Sequence, residues 1–164
     1  MELLQKLTET GIVTRTEFKA RYKELFTKGK DMYRIVVLVD LAKNKVVGNG
    51  TLLLERKFIR NCGTVSPYTA HALQCAHIED IVVDETYRGK GLGKRVVNVL
   101  QDLAQHHKAY KIILDCDEKV SGFYSKSGFE SKGMQMGMYN NEVLKENKSL
   151  NTSREESVSP RKGE

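Results

Sequence analysis

The apolar positions of this chain alternate between helical and extended spacing, with short polar breaks between them. Thr14-x-x-Glu17 has the form of a capping box, and Phe18, Tyr22, Leu25 and Phe26 then recur on one helical face until Gly29. Ile35–Leu41 is an aliphatic run, Lys43-Asn44-Lys45 interrupts it and Val46–Glu55 resumes it, which predicts an antiparallel hairpin. Residues 59–77 hold Gly63, Ser66, Pro67 and Thr69 without periodicity and predict a long surface loop. Ile78–Val83 predicts a strand, and Leu92, Val96, Leu100 and Leu103 predict a helix over residues 92–107. A strand at Tyr110–Cys116, a short helix at Val120–Lys126 and a last strand at Phe129–Tyr139 complete the pattern. From Lys145 the apolar residues thin out among Ser149, Ser153, Ser157, Ser159 and Pro160. One domain over residues 1–144 followed by a polar, disordered tail over 145–164 is expected.

The strands on either side of the 92–107 helix form a βαβ unit and are expected to run parallel. With the antiparallel hairpin they define an α/β class, a mixed central sheet flanked by helices. Composition narrows the setting. The chain is 40% apolar and 29% charged, enough for a substantial core. No apolar run is long enough to cross a membrane, so no membrane span is expected. Glu2 leads into no apolar leader, and three cysteines, an odd number, suit a reducing compartment, so a cytoplasmic location is expected. Cys62, His71, Cys75 and His77 fall close together but lack a Cys-x-x-Cys or a compact His pair, and no metal is expected. The net charge of +6 suits an anionic ligand. Lys90, Lys94 and Arg95 lack the aromatic platform that single-stranded nucleic acid calls for, so no nucleic-acid partner is expected either.

The densest chemistry lies at Arg88-Gly89-Lys90-Gly91-Leu92-Gly93-Lys94, where a strand ends and a helix opens. Glycines let backbone approach an anion, and a helix N-terminus offers unpaired N–H groups and partial positive charge. A dinucleotide fingerprint, Gly-x-Gly-x-x-Gly, needs its third glycine one position later. A nucleotide P-loop needs glycine where Arg88 stands, and Ser or Thr where Arg95 stands. The pattern that remains, Arg-x-x-Gly-x-Gly, resembles the pyrophosphate-binding turn of the GNAT acetyltransferases, which hold acetyl-coenzyme A.

Five segments in order sharpen the resemblance: Leu7–Gly11, Glu55–Ile59, His77–Ile81, Arg88–Gly93, and Lys111–Lys119 running into Phe123-Tyr124-x-Lys126-x-Gly128-Phe129. Together, over residues 3–138, they resemble the eukaryotic glucosamine-6-phosphate N-acetyltransferase family. The resemblance implies a GNAT fold, here without the family's usual first strand. It also implies direct acetyl transfer from acetyl-CoA to glucosamine 6-phosphate in a ternary complex, a step toward UDP-N-acetylglucosamine, by a homodimer whose last strand reaches the partner's site.

Carried over residue by residue, it implies that backbone groups of Ile81, Val82 and Val83 meet the thioester and pantetheine. Arg88, Gly89, Lys90, Gly91, Leu92, Gly93 and Lys94 would hold the pyrophosphate. Tyr124 would sit beside the coenzyme sulfur and serve the leaving thiolate. Glu79, Asp80 and Asp115 would meet the sugar near its amine, with Glu79 and Asp115 in the chemistry. Thr8, Lys57, Phe58, Ile59 and Arg60 would bind the sugar phosphate and hydroxyls. Alternation along a strand predicts that Glu79 and Asp80 point to opposite faces. The sequence departs from the family pattern in the long 61–77 segment. Met136-Gly137-Met138-Tyr139 stands where the family has a basic residue, and Val120-Ser121-Gly122 replaces an Asn-containing stretch. An acetyltransferase for another amine, such as a polyamine or protein lysine, and a non-catalytic coenzyme-A-binding relative stay open as alternatives.

Overall fold

A computed structural model describes residues 2–58, 64–66, 69–72 and 74–158. The strands are β1 (Tyr33–Asp40), β2 (Lys45–Arg56), β3 (Thr64–Ser66), β4 (Thr69–Ala72), β5 (Gln74–Val83) and β6 (Ala109–Ile113). The helices are α1 (Arg15–Thr27), α2 (Leu92–His106), α3 (Glu118–Ser125) and α4 (Asn141–Val158), with 3-10 turns at Leu4–Lys6 and Glu85–Tyr87. Four strands form the central sheet in the order β1-β2-β5-β6, and β3 pairs with β4 separately. The β1–β2 and β2–β5 pairs are antiparallel, and β5–β6 is parallel, as the βαβ unit requires. Among the described residues no strand precedes α1.

The core forms where α2 lies across β2 and β5. Leu52 faces Ile78 and Leu54 faces Ala76 across the ladder, and all four are at most 3% exposed. Val96, Leu100 and Ala104 project onto them from α2 at helical spacing and are fully buried. Each large aliphatic side chain buried here contributes roughly 1.5–3 kcal/mol. At Gly50 the approach is closest of all. A Cβ there would stand 2.6 Å from Val96 Cγ1, 2.7 Å from Ile81 Cδ1 and 2.8 Å from Leu100 Cδ1. Opposite Gly50 the register shifts, and Asp80 takes a left-handed φ of 54°. This bulge breaks the alternation expected at Glu79-Asp80, so the two side chains are not simply on opposite faces.

The Thr14–Glu17 capping box is present, with the Glu17 N–H donating to Thr14 Oγ1 at 3.2 Å and the Thr14 N–H donating to Glu17 Oε2 at 2.9 Å. The face it starts is more open than its pattern suggests, because α1 buries no residue and Tyr22 stacks on Phe26 within the helix.

Three expectations fail, each for a non-local reason. The 59–77 stretch is not all loop: β3 and β4 pair, and β5 begins at Gln74 because β2 continues its ladder to Arg56. Residues 59–63, 67, 68 and 73 lie outside the described part. Phe129–Tyr139 is not a strand, since no described strand lies alongside to share its hydrogen bonds. Residues 145–158, expected to be disordered, continue helix α4. The helix is anchored by Asn151, which accepts from the Ile12 N–H at 3.2 Å, and by Arg154, which donates to the Ile12 carbonyl and to Glu17 Oε1, both at 2.7 Å.

Gly50→Ala should test the contact between α2 and the sheet. We expect a loss of about 1–3 kcal/mol, the usual cost of overpacking a close-packed site, read from urea denaturation. An unchanged midpoint would mean that α2 moves off the sheet freely.

Candidate active site

The glycine turn is held by its neighbours in the β1–β2 hairpin. Asp84, 3% exposed, accepts from Lys45 Nζ at 2.8 Å and from the Thr86 N–H at 3.0 Å, capping the 3-10 turn that delivers Arg88. These bonds hold the Asp84 carboxyl far below the usual carboxylate range, the Lys45 ammonium being the largest cause and Thr86 the next. Tyr87 donates its hydroxyl to Asp40, and Lys43 and Lys90 lie over its ring.

Gly89 and Gly91 then take left-handed φ angles of 77° and 71°. A Cβ at either would meet nothing within 4 Å, so glycine is required by the backbone and not by space. Gly91 caps α2 without a side-chain hydrogen bond, and the first turn carries no acidic residue. The first main-chain bond back to the turn comes from the Arg95 N–H to the Gly91 carbonyl, at 3.0 Å. The N–H groups of Leu92, Gly93 and Lys94 therefore have no intrahelical acceptor, which is the arrangement that binds anions. Among the described residues Arg88, Lys94 and Arg95 make no ion pair. Gly93 serves packing: a Cβ there would touch Phe123 Cζ at 3.4 Å, so its absence lets α3 lie against the start of α2.

The second feature is a fork in the sheet. β5 and β6 pair only from Gln74↔Ala109 to His77↔Ile113, although β5 continues to Val83. Past the fork, Val82 and Val83 keep β2 on one edge, and Ile81, Val82 and Val83 have no described strand on the other. Both arms carry acids just beyond the branch, Glu79 and Asp80 on β5 and Asp115 after β6. Glu79 is open to solvent. Its carboxyl is nonetheless pushed above the usual range, first by partial loss of hydration and then by the negative charges of Asp80 and Asp115. Asp80 is tied to β2 by the Asn49 side-chain amide, which donates to its carbonyl at 3.1 Å.

Tyr124 sits in α3, half-buried, edge-on to Phe123 at 4.9 Å and Phe129 at 6.1 Å between centroids. Burial, and then Cys116, push its phenol above the ordinary value, so it stays protonated as a donor.

The remaining expected residues are dispersed. Lys57 bonds Glu55, which raises the ammonium and lowers the carboxyl. Phe58 is 93% exposed, and Ile59 and Arg60 lie outside the described residues. Thr8 lines a separate cleft of about 550 Å³ between the N-terminal segment and α4, with Gln5, Glu9, Lys148 and Asn151. Lys148 and Asn151 had no signal in the sequence, because the stretch that carries them has no apolar periodicity.

Comparison with known proteins shows the family and the fold. A sequence model of the Acetyltransferase (GNAT) family matches residues 2–129. Glucosamine 6-phosphate N-acetyltransferase 1 of Dictyostelium discoideum is 44% identical over 138 residues, covering 84% of this chain and 80% of that protein. The crystal structure of glucosamine-6-phosphate N-acetyltransferase from Arabidopsis thaliana superposes with a TM-score of 0.76 at 41% identity, over 85% of this chain and 87% of that one. An acetyltransferase from Trypanosoma brucei superposes at 0.73 and 31% identity, over 84% and 88%. The chain belongs to the GNAT acetyltransferase family. It is an enzyme of acetyl transfer, and its family uses acetyl-CoA as co-substrate. No described helix is long and apolar enough to cross a membrane.

Proposed function

We propose that this chain moves the acetyl group of acetyl-CoA to the amine of glucosamine 6-phosphate by direct transfer in a ternary complex. The observation that carries the reading is the fork. Glu79 and Asp80 on one arm and Asp115 on the other would draw in a cationic amine, and the β5 arm runs on toward an acid-free helix N-terminus, without a side-chain cap, suited to pyrophosphate. The relatives named for this reaction, at 41–44% identity, supply the sugar.

The chemistry divides among the residues as follows. Arg88 to Lys94 hold the coenzyme's pyrophosphate, and the open edge at Ile81, Val82 and Val83 aligns its arm. Glu79, with its raised affinity for protons, takes the proton that the ammonium must lose before nitrogen can attack. Asp115 and Asp80 hold the amine while the C–N bond forms and the C–S bond breaks. Tyr124 donates to the departing thiolate. Thr8 and Lys57, with Phe58, Ile59 and Arg60, bind the sugar phosphate and hydroxyls. Lys57 must first leave Glu55 to do so.

Thiol release from acetyl-CoA, measured against glucosamine 6-phosphate, glucosamine, spermidine and a lysine peptide, tests the substrate. Glucosamine 6-phosphate should be preferred. Preference for spermidine or the peptide would assign the acid-lined fork to another amine, and coenzyme binding without turnover of any would make the chain a binding protein.

Two variants separate the halves of the site. Gly91→Asp forces a side chain into left-handed backbone and sets a negative charge at the cradle, so coenzyme A binding by calorimetry should weaken sharply. Tyr124→Phe keeps the ring packing and should leave that binding intact. Its kcat should fall by the low end of the roughly 10²–10⁴-fold typical of a general acid, because the thiolate already leaves readily. Equal coenzyme affinity in Gly91→Asp would remove the cradle, and an intact kcat with lowered stability would make Tyr124 structural.

The assembly we propose is a homodimer built on residues 129–140. Met134, Met136 and Met138 recur at strand spacing, are more than 90% exposed, and belong to a stretch with no ladder partner among the described residues. A second copy would supply that partner. Sedimentation should give twice the chain mass, and a monomer at micromolar concentration would exclude it.

A further inference from the structure

One cluster of reactive side chains lies outside the chemistry above. The β2–β5 register sets Glu55 directly opposite Cys75, and His77 follows two residues on along β5. By strand alternation all three leave the sheet on the face away from Leu54 and Ala76, and so away from α2. Glu55 Oε2 lies 2.8 Å from His77 Nε2, and the carboxylate, thiol and imidazole ligand atoms all fall within 4.8 Å of one another. Cys75 is fully buried, while Glu55 and His77 are partly open to solvent.

We propose that Glu55, Cys75 and His77 bind one divalent transition-metal ion of the zinc class, with solvent completing its coordination. The donor set decides the class of metal. One sulfur, one nitrogen and one oxygen suit zinc or cobalt, whereas magnesium and calcium call for oxygen donors throughout. Tetrahedral zinc sets such donors roughly 3.5 Å apart, so the longest separation closes by side-chain adjustment. The backbone needs no change, because two paired strands already fix the three Cβ positions.

The surrounding charges define what the ion must displace. Lys57 bonds Glu55 and acts there as the neutralising cation. It lies one residue past the end of β2, next to the exposed Phe58, so it can swing away. Burial pushes the Cys75 thiol above its ordinary value, and Lys111, paired with it across β5 and β6, only partly opposes that, so the ion must displace the thiol proton as it binds. A nucleophilic reading of the cysteine is weaker, since a thiol with no exposed surface cannot meet a substrate carbon. Occupancy would also take Lys57 off Glu55 and release its ammonium.

The test is a cobalt titration of chelator-treated protein carrying Cys62→Ser and Cys116→Ser, which leaves Cys75 as the sole thiol of the three. One equivalent of Co²⁺ should raise a thiolate-to-cobalt charge-transfer band in the near ultraviolet, with the intense visible bands of a four-coordinate ion, and Zn²⁺ should abolish both. Cys75→Ser should remove the charge-transfer band. Because a buried cysteine can be needed for folding, the partly exposed ligands carry the decision. His77→Gln and Glu55→Gln, checked for native circular dichroism, should each weaken Co²⁺ by at least the roughly 10–100-fold that even an outer-shell partner is worth. No charge-transfer band at excess Co²⁺ would overturn the proposal, and so would a band whose titration is unchanged in both of these variants.

Discussion

Helix α2 rests on the sheet so closely that β2 has no room for a single methyl group at Gly50. The rest of the site depends on that contact. Ile81, Val96 and Leu100 crowd around one backbone position, and opposite it the register shifts and Asp80 takes a left-handed φ. The bulge re-aims β5 just where its parallel neighbour leaves it. A regular, fully paired sheet would have no fork and no open strand edge, and the same α2 that packs over the bulge begins at the glycine turn. Core packing and site geometry are therefore one constraint seen from two sides.

The site is also electrically divided. The chain carries a net +6, yet the fork holds Asp80 and Asp115 close enough to Glu79 for both to raise the cost of ionising it. The basic residues and the uncapped helix N-terminus gather at the turn instead. A reaction between an anionic coenzyme and a cationic amine requires this separation, since one uniform field would favour one reactant and exclude the other. Asp84 sits between the two regions, buried and fully engaged with Lys45 and Thr86, so its charge holds the turn in shape rather than meeting a ligand.

What the sequence disclosed follows from the range of the signals. The Thr14–Glu17 box, the glycine turn and the spacing of Val96 and Leu100 are local, and each stands where its residues place it. The hairpin and the parallel βαβ pair follow from short connections. The early start of β5 was hidden because it depends on Arg56 pairing with Gln74 across a long intervening segment. For the same reason Cys75 and His77 carried no visible ligand pattern: their third companion, Glu55, joins them only through the ladder. Residues 129–139 alternate like a strand, but a strand needs a neighbour, and none lies alongside them among the described residues. The polar stretch of α4 has no apolar face to announce it, and two side chains, Asn151 and Arg154, hold it in place.

That last contact has a consequence for how the molecule opens and closes. The bond between Asn151 and Ile12 joins positions 139 residues apart, whereas the βαβ core is assembled from near neighbours in the chain. Loop-closure entropy grows slowly with length, by roughly 0.6 kcal/mol per doubling, so the span itself is tolerable, but it is compensated here by polar bonds at a partly exposed surface. Helix α4 is thus suited to dock late and detach early, as a separate cooperative unit of low local stability. Because it forms one wall of the cleft that contains Thr8, the shape of that cleft is set by the least persistent part of the fold.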